Sequence, residues 1–210
     1  MLNKLLSKLL LTITTLFALN LNAQEYHRGR YSVELSLTPL ASVHIGPLQS
    51  LTGGASHESN HYIAGIARGI YKHTDRWSFS TGLGYSSQTI ITTGAVVNPS
   101  SEQSSYSSNL HLLEIPVDAK IGFLKHFFAN AGPILHFQLN SNSHVDKQTG
   151  VGMNIGLGVK VPLSRSFEAS LSPQYKMYSL IPFQSGNHYD RTQMLGIGIG
   201  VSYTCPSLKK

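Results

Sequence analysis

The feature that most constrains this chain is an alternation of apolar residues with small or polar ones, which returns along its whole length. The segment QMLGIGIGVSY, residues 193–203, alternates large apolar side chains with glycine and serine. A period of two places successive side chains on opposite faces of a strand. The glycines do not match the GxGxxG spacing of a dinucleotide site, and no helical pattern follows them. The segment therefore predicts a strand with one apolar face.

Eight segments of this kind are predicted to be strands: 31–38, 61–72, 77–85, 111–123, 127–139, 151–161, 167–177 and 193–203. The segment 61–72 alternates least cleanly, and its phase is uncertain. These segments of eight to thirteen residues are close to the length of a tilted bilayer crossing. Eight antiparallel strands can close without a free edge. The predicted fold is all-β, an eight-stranded antiparallel up-and-down transmembrane β-barrel.

The predicted connections alternate strictly between short and long. Short turns are expected at 72–76, 124–126 and 162–166, and long polar links at 41–60, 90–109, 140–150 and 179–192. Outer-membrane barrels have tight periplasmic turns and longer outside loops. This asymmetry favours a membrane barrel over a soluble lipocalin-like one.

The first 23 residues have the layout of a cleavable signal peptide. Lys4 and Lys8 precede an apolar run over 9–21, and the predicted cut follows Ala23. A retained membrane helix is the alternative, but the run is short for spanning. Residues 24–210 then form the barrel domain, which contains no apolar run long enough for a membrane helix and must cross any bilayer with strands. The predicted location is the outer membrane.

Charge and cysteine content restrict the partners. The chain has sixteen Lys and Arg against ten Asp and Glu, and without the two signal-peptide lysines its net charge is about +4. The basic residues form no cluster, so nucleic acid is not an expected partner. Cys205 is the single cysteine and excludes an intrachain disulfide. The expected partners are outer-membrane lipids and possible envelope or secretion-machinery proteins, with a monomeric barrel.

Aromatic residues gather where the predicted strands meet the short turns. An interfacial belt of amphipathic rings is expected at such a boundary, although aromatic residues also favour strands in general. A smaller set, Tyr85, Phe137 and Tyr175, lies toward the other strand ends. The predicted belt consists of Tyr31, Tyr71, Trp77, Phe123, Phe127, Phe167 and Tyr203.

The polar face of each strand is expected to point into the barrel. Four acids and four bases on this face need partners there, because a narrow barrel excludes most water. Eight strands leave room only for side chains, so we expect a cross-linked interior and no substantial open channel. A catalytic carboxylate pair at Glu114 and Asp118 is the alternative. The predicted network comprises Glu34, Arg68, Glu114, Asp118, Lys120, Lys160, Glu168 and Lys176.

The segment HESNH, residues 57–61, matches the HExxH pattern of zinc proteases. That chemistry requires both histidines on one helical face, but Gly53-Gly54 and Ser59-Asn60 are poor helix formers. We therefore expect a loop without catalysis. Exposed loop histidines could collect a metal ion, but polar loop residues are the favoured interpretation, and no metal site or cofactor is predicted. The loop histidines are His44, His57, His61, His144 and His188.

Several motifs resemble the PorT-like outer-membrane β-barrel family of Gram-negative bacteria, which has the small-barrel architecture of OmpA and OmpX. They are HLLEIPVDAKIG at 111–122, NAGPILHFQL at 130–139, SLSPQYKMY at 170–178 and LGIGIGVSY at 195–203. The resemblance implies an eight-stranded outer-membrane barrel, and some family members are linked to a protein-secretion machine. It carries over no catalytic residues. The tail TCPSLKK after Tyr203 departs from barrels that end on an aromatic residue.

These observations predict a non-enzymatic integral outer-membrane protein with a structural, adhesive or secretion-accessory role. It would act through its long outside loops, above all residues 92–109. One alternative is an outer-membrane lipid-modifying hydrolase that uses a serine with His136 or His188, although no GxSxG elbow is present. The other is a soluble exported barrel that binds an apolar ligand, which would require the opposite orientation of the apolar and polar faces.

Overall fold

The computed structural model describes residues 30–46, 56–93, 105–140, 146–184 and 190–205. They form one closed barrel in which each strand pairs antiparallel with the next and β8 pairs with β1. The predicted eight-stranded up-and-down barrel is confirmed. The segment 1–23, predicted as a signal peptide, lies outside the described residues. The strands are β1 Tyr31–Gly46, β2 Ser56–Lys72, β3 Trp77–Thr93, β4 Ser105–Phe123, β5 Phe127–Gln138, β6 Gly150–Pro162, β7 Phe167–Pro182 and β8 Arg191–Thr204.

Three short turns lie at one end of the barrel, which we call the turn end; the opposite end is the loop end. In the β2–β3 turn, Thr74 Oγ1 accepts hydrogen bonds from the backbone N–H of Arg76 at 3.3 Å and of Trp77 at 3.0 Å. In the β6–β7 turn, Ser164 Oγ accepts in the same way from the N–H of Phe167 at 3.2 Å. These side-chain acceptors satisfy turn donors and fix the hairpins. No described helix is long and apolar enough to cross a membrane.

The strands continue beyond their predicted ends at the loop end. β2 and β3 have 17 residues each and β4 has 19, so the prediction that residues 41–60 and 90–109 are entirely links is wrong. Serine-, threonine- and asparagine-rich sequence favours turns locally, but pairing to neighbouring strands overrides this preference: Ile90 lies opposite Ser59 on β2 and Ser108 on β4.

This extension also places the HExxH segment in a strand. His57 pairs with Thr92 and Glu58 with Ile91, so the backbone is extended and not helical. His44 likewise lies in β1, opposite Glu58. A register shift follows Asn60, where His61 has a φ of 55°. The expectation that these histidines occupy loops is wrong, whereas the absence of the helix that a zinc protease requires is confirmed.

The outward faces are apolar along the part of each strand next to the turn end. Among the described residues, the outward positions of this band carry no charge. In β2, Arg68 points inward and small residues point outward. The structure thus shows which face of β2 is the inner one, which the sequence pattern left open. On β3 and β4 the band ends at Tyr85 and Leu113. Beyond them the outward residues are mostly polar, with Ile91 as an apolar exception: the polar ones are Ser87, Thr89, Ser107, Asn109 and His111.

The interior near the loop end is mainly apolar, although it also holds buried polar residues such as Gln88 and Thr192. A buried core lies between the extended strands, where Ile90 and Leu110 are fully buried. The expectation of a polar inner face along every strand is therefore wrong for this half. Strands that leave the bilayer need a core of their own, and the inward residues supply it. This loop-end core consists of Ile45, Tyr62, Ala64, Ile90, Leu110, Leu112, Tyr178 and Met194.

Candidate functional site

A charged cluster at mid-height joins β1, β2 and β4 through Arg68. Arg68 Nη1 lies 3.3 Å from Glu34 Oε1 and donates to Ser36 Oγ at 2.7 Å. Its Nε is 3.8 Å from Asp118 Oδ2, an ion-pair distance that is too long for a hydrogen bond. Lys120 Nζ approaches Glu34 Oε2 at 3.5 Å. Two acids and two bases compensate one another here.

A second cluster lies nearer the loop end and is centred on Glu114. Lys176 Nζ donates to Glu114 Oε2 at 2.7 Å, and the Tyr178 hydroxyl donates to Oε1 at 2.7 Å. The Tyr62 hydroxyl lies 3.2 Å from that of Tyr178. Glu114 is 0% and Lys176 1% exposed. The ion pair, which water does not reach, joins β4 to β7, and the contact between the two tyrosine hydroxyls extends the cluster to β2. Each buried charge depends on its partner.

His136 and Ser179 form a histidine–serine pair beside this cluster. The backbone N–H of Ser179 donates to His136 Nε2 at 2.9 Å, and Ser179 Oγ lies 3.1 Å from the same nitrogen. Nε2 is therefore an acceptor, and Nδ1, 3.3 Å from the carbonyl oxygen of Ile134, carries the proton. Both residues are fully buried, and Ser179 has a φ of 53°. The third partner is a backbone carbonyl rather than the carboxylate of a triad.

The remaining predicted interior charges, Lys160 and Glu168, lie near the turn end. They line a cavity of about 100 Å³, together with Lys72 and Lys120. Lys120 Nζ also lies 4.6 Å from the ring centre of Phe128. Of the eight predicted interior charges, the structure thus brings four together around Arg68 and two together at Glu114, and it places two beside the turn-end cavity. Glu114 and Asp118, proposed as a catalytic alternative, belong to different clusters, each with its own cation.

All seven residues of the predicted aromatic belt point outward at the turn end. The exposed fractions of six of them range from 40% for Tyr203 to 63% for Tyr31, and Tyr71 is half-buried. Neighbouring strands pair their rings: the centroids are 5.4 Å apart for Tyr31 and Tyr71, 6.2 Å for Phe123 and Phe127, and 5.1 Å for Phe167 and Tyr203.

A smaller aromatic boundary lies where the apolar band ends toward the loop end. Tyr85 stacks on His111 with a centroid distance of 6.0 Å, and its hydroxyl is 2.9 Å from His111 Nδ1. The Tyr175 hydroxyl donates to Gln193 Oε1 at 2.9 Å. Rings with a polar tip suit a boundary between hydrocarbon and water.

No group of three or more metal-ligating side chains is found within the described ranges. His144 and His188 lie outside them, as does most of the 92–109 segment proposed as a contact surface.

Sequence reasoning missed the two tyrosines and the serine. Tyr178 shares the inward parity of Lys176 on β7, which was a usable signal, but the predicted strand ended at Met177 and the predicted link began at Ser179. Ser179 departs from the alternation because of its positive φ, which the sequence pattern does not report.

The closed sheet, apolar band and aromatic belt define a transmembrane β-barrel. The chain belongs to the family described as "Outer membrane protein beta-barrel domain", whose sequence profile matches residues 22–204. No curated protein sequence matches it.

Solved structures agree on the fold. OprG from Pseudomonas aeruginosa has a TM-score of 0.51 at 12% identity, covering 86% of this chain and 98% of that one. Neisserial surface protein A has a TM-score of 0.51 at 13% identity, covering 86% and 100%. AlkL in lipid bilayers has a TM-score of 0.53 at 11% identity, covering 91% and 98%. At these identities the likeness shows the fold alone.

Proposed function

We propose that this chain is a non-enzymatic outer-membrane protein that presents a folded protein surface outside the bilayer for contact with another macromolecule. The observation that carries the proposal is the length of β2, β3 and β4, at 17, 17 and 19 residues. A tilted strand crosses a bilayer with about 9–11 residues. The excess lies at the loop end and builds a structure outside the membrane.

The orientation follows from the connections. In outer-membrane barrels the tight turns face the periplasm and the longer links face outside. Here the turns of three or four residues at 73–76, 124–126 and 163–166 lie at one end. The loop end, and with it the strand excess, then faces the cell exterior.

The strand excess has the build of a stable surface. Residues 86–93 of β3 rise roughly 20 Å along the barrel axis beyond the apolar band, at a strand tilt of about 40°. Its outer side is mainly polar, with Thr89 Oγ1 donating to Asn109 Oδ1 at 3.1 Å, although Ile63 and Ile91 also face outward. Its inner side carries the loop-end core. We call residues 86–93 of β3, together with the parts of β1, β2 and β4 that continue beside them, the outer wall. An apolar core beneath a polar face holds the outer wall in shape without lipid.

The filled interior of the barrel supports a role at the cell surface rather than the conduction of ions through a pore. At the height of Glu114 and Lys176 the lumen holds a buried ion pair, with the fully buried Tyr178 and Leu110 above it. A conducting pore needs a hydrated path with ion sites that bind and release. We therefore infer that the described part of the barrel is closed at this level.

The hydrolase alternative has one observation in its favour, the His136–Ser179 pair. Lipid substrates reach a barrel from its outer face, whereas both residues are buried inside. No carboxylate orients Nδ1 of His136, which faces a backbone carbonyl. The soluble alternative fails for a different reason, because the outward faces are apolar and the inner face carries the charges.

Topology can be tested by whole-cell labelling with a membrane-impermeant maleimide. Ser107, outward on the outer wall, is changed to cysteine in a Cys205→Ser background, and native Cys205 serves as the turn-end control. We expect Ser107→Cys to react on intact cells and Cys205 only after permeabilisation. The reverse pattern would contradict the proposed orientation.

The adhesive and secretion-accessory roles are separated by a deletion strain. Loss of attachment with normal protein export favours adhesion, and accumulation of exported cargo inside the cell favours the secretion-accessory role. If the deletion strain attaches and exports as the wild-type strain does, surface contact is not the function.

A further inference from the structure

The turn end carries a set of exposed cations directly beside the aromatic belt. Arg76 precedes Trp77, and Lys125 lies between Phe123 and Phe127. Arg30 likewise precedes Tyr31, and Arg165 lies two residues before Phe167. Of the acids nearby, Asp75 lies 3.3 Å from Lys72 and offsets that lysine, and Glu168 lines the turn-end cavity together with Lys160. The exposed cations beyond this pair, which we call the turn-end collar, are Arg30, Arg76, Lys125 and Arg165.

Within the residues that the structure describes, the loop end has no comparable excess of cations. Among the charged residues there whose side chains are described, Asp146 and Asp190 match Lys147 and Arg191 in number. The positive potential of the described surface is therefore concentrated at the turn end. Its sign and its ring-shaped distribution call for an anionic partner that surrounds the barrel.

We propose that the turn-end collar selects anionic phospholipid headgroups from the leaflet that surrounds the turn end. Each collar cation lies within two residues of a belt ring. Belt rings sit at the edge of the hydrocarbon, and the headgroup layer is about 5–7 Å thick beyond it. One or two strand residues cover roughly 3–6 Å along the strand, so the cations reach the depth of the phosphates.

The turns hold the collar in place before lipid arrives. Thr74 Oγ1 fixes the backbone at Arg76, and the carbonyl oxygen of Arg76 accepts the N–H of Gly122 at 2.7 Å. The turn that carries Arg165 has the equivalent hydrogen bond from Phe167 to Ser164. A fixed backbone lowers the ordering cost of binding, while the long side chains still adjust to a headgroup.

Trp77 provides the assay, because it is the single tryptophan of the chain, lies beside Arg76 and is 45% exposed. The protein is reconstituted in phosphatidylcholine vesicles with increasing brominated phosphatidylglycerol or brominated phosphatidylcholine. Quenching of Trp77 then reports the relative occupancy of adjacent sites. We expect phosphatidylglycerol to be favoured about fivefold at low salt, the contribution of one cation near a charged surface.

The charge dependence is tested with the Arg76→Gln/Lys125→Gln variant and, as a matched control, Lys147→Gln at the loop end. The double variant should bring the preference toward one, and the control should keep it. Wild type at ~0.5 M NaCl should also lose most of it through screening, which tests the proposal even if the double variant does not fold. Equal quenching by the two lipids at low salt, or a preference unchanged by salt, would overturn the proposal.

Discussion

The buried pair of Glu114 and Lys176 gives the strongest expected effect of a single substitution. Glu114→Gln keeps the side-chain shape but removes the charge that Lys176 Nζ meets at 2.7 Å. At 1% exposure Lys176 cannot reach water, so its ammonium loses its compensating charge. Breaking a buried pair from one side costs about 3–5 kcal/mol of unfolding free energy.

The double variant Glu114→Leu/Lys176→Met separates the pair from its setting. It removes both charges and fills similar volume, so its stability should return to within about 2 kcal/mol of wild type. Part of the remaining loss comes from Tyr178, whose hydroxyl donates to Glu114 Oε1 at 2.7 Å. Asp75→Asn is the exposed control, because Asp75 is fully solvent-exposed in its pair with Lys72, and no measurable change is expected.

Denaturant unfolding of the reconstituted barrel measures all three variants. Trp77 fluorescence reports the loss of membrane contact, and heat-modifiable gel migration reports the folded fraction. Trp77 lies at the turn end, away from Glu114, so its emission follows global unfolding. If Glu114→Gln unfolds at the same denaturant concentration as Asp75→Asn, the interior ion pair does not stabilise the barrel, and the reasoning fails.

Three further predictions use the same unfolding assay. Leu83→Arg, which places a charge on the outward face of β3 within the apolar band, should cost about 2–4 kcal/mol, whereas Ser107→Arg on the outer wall should have little effect; equal losses would contradict the position of the band. Leu110→Ala should cost about 2–5 kcal/mol by opening a cavity in the loop-end core, and a neutral result would mean that this core is not packed. Gly132→Val should lower the folded yield, since a Cβ there would overlap the carbonyl oxygen of Val117; a normal yield would refute the close strand contact.

The fold was predictable because a period of two survives in almost every strand. The exception, β2, has apolar residues on both faces: Ile66 points into the barrel and Ile63 points outward. Alternation of polarity therefore cannot show which residues of β2 point inward. The pairing of Glu34 on β1 with Arg68 on β2 does show it.

The strand ends were not predictable in the same way. Ser107, Ser108 and Asn109 favour turns in isolation, and their pairing with β3 is a long-range interaction. A signal was nevertheless present: Leu110 and Leu112 share the parity of Glu114, opposite to that of Leu113. An apolar inward residue beyond the polar lumen indicates a separate core and a strand that continues.

The interior charges could be assigned to a face but not to partners. Parity alone placed Glu114 and Asp118 on the same side of β4, four residues apart. Their separation into different clusters depends on how far around the barrel Lys176 and Arg68 lie. That distance follows from strand stagger, which alternation does not encode.

The point at which the bilayer ends along β3 decides whether the outer wall lies outside the membrane. Spin labels at outward positions from Phe79 to Thr89 in the reconstituted protein, read for accessibility to oxygen and to a water-soluble nickel chelate, would locate that boundary directly. We predict oxygen access through Leu83 and a change to chelate access from Ser87 onward, beyond Tyr85. Oxygen access that continues through Thr89 would place the outer wall inside the membrane and contradict the proposed function.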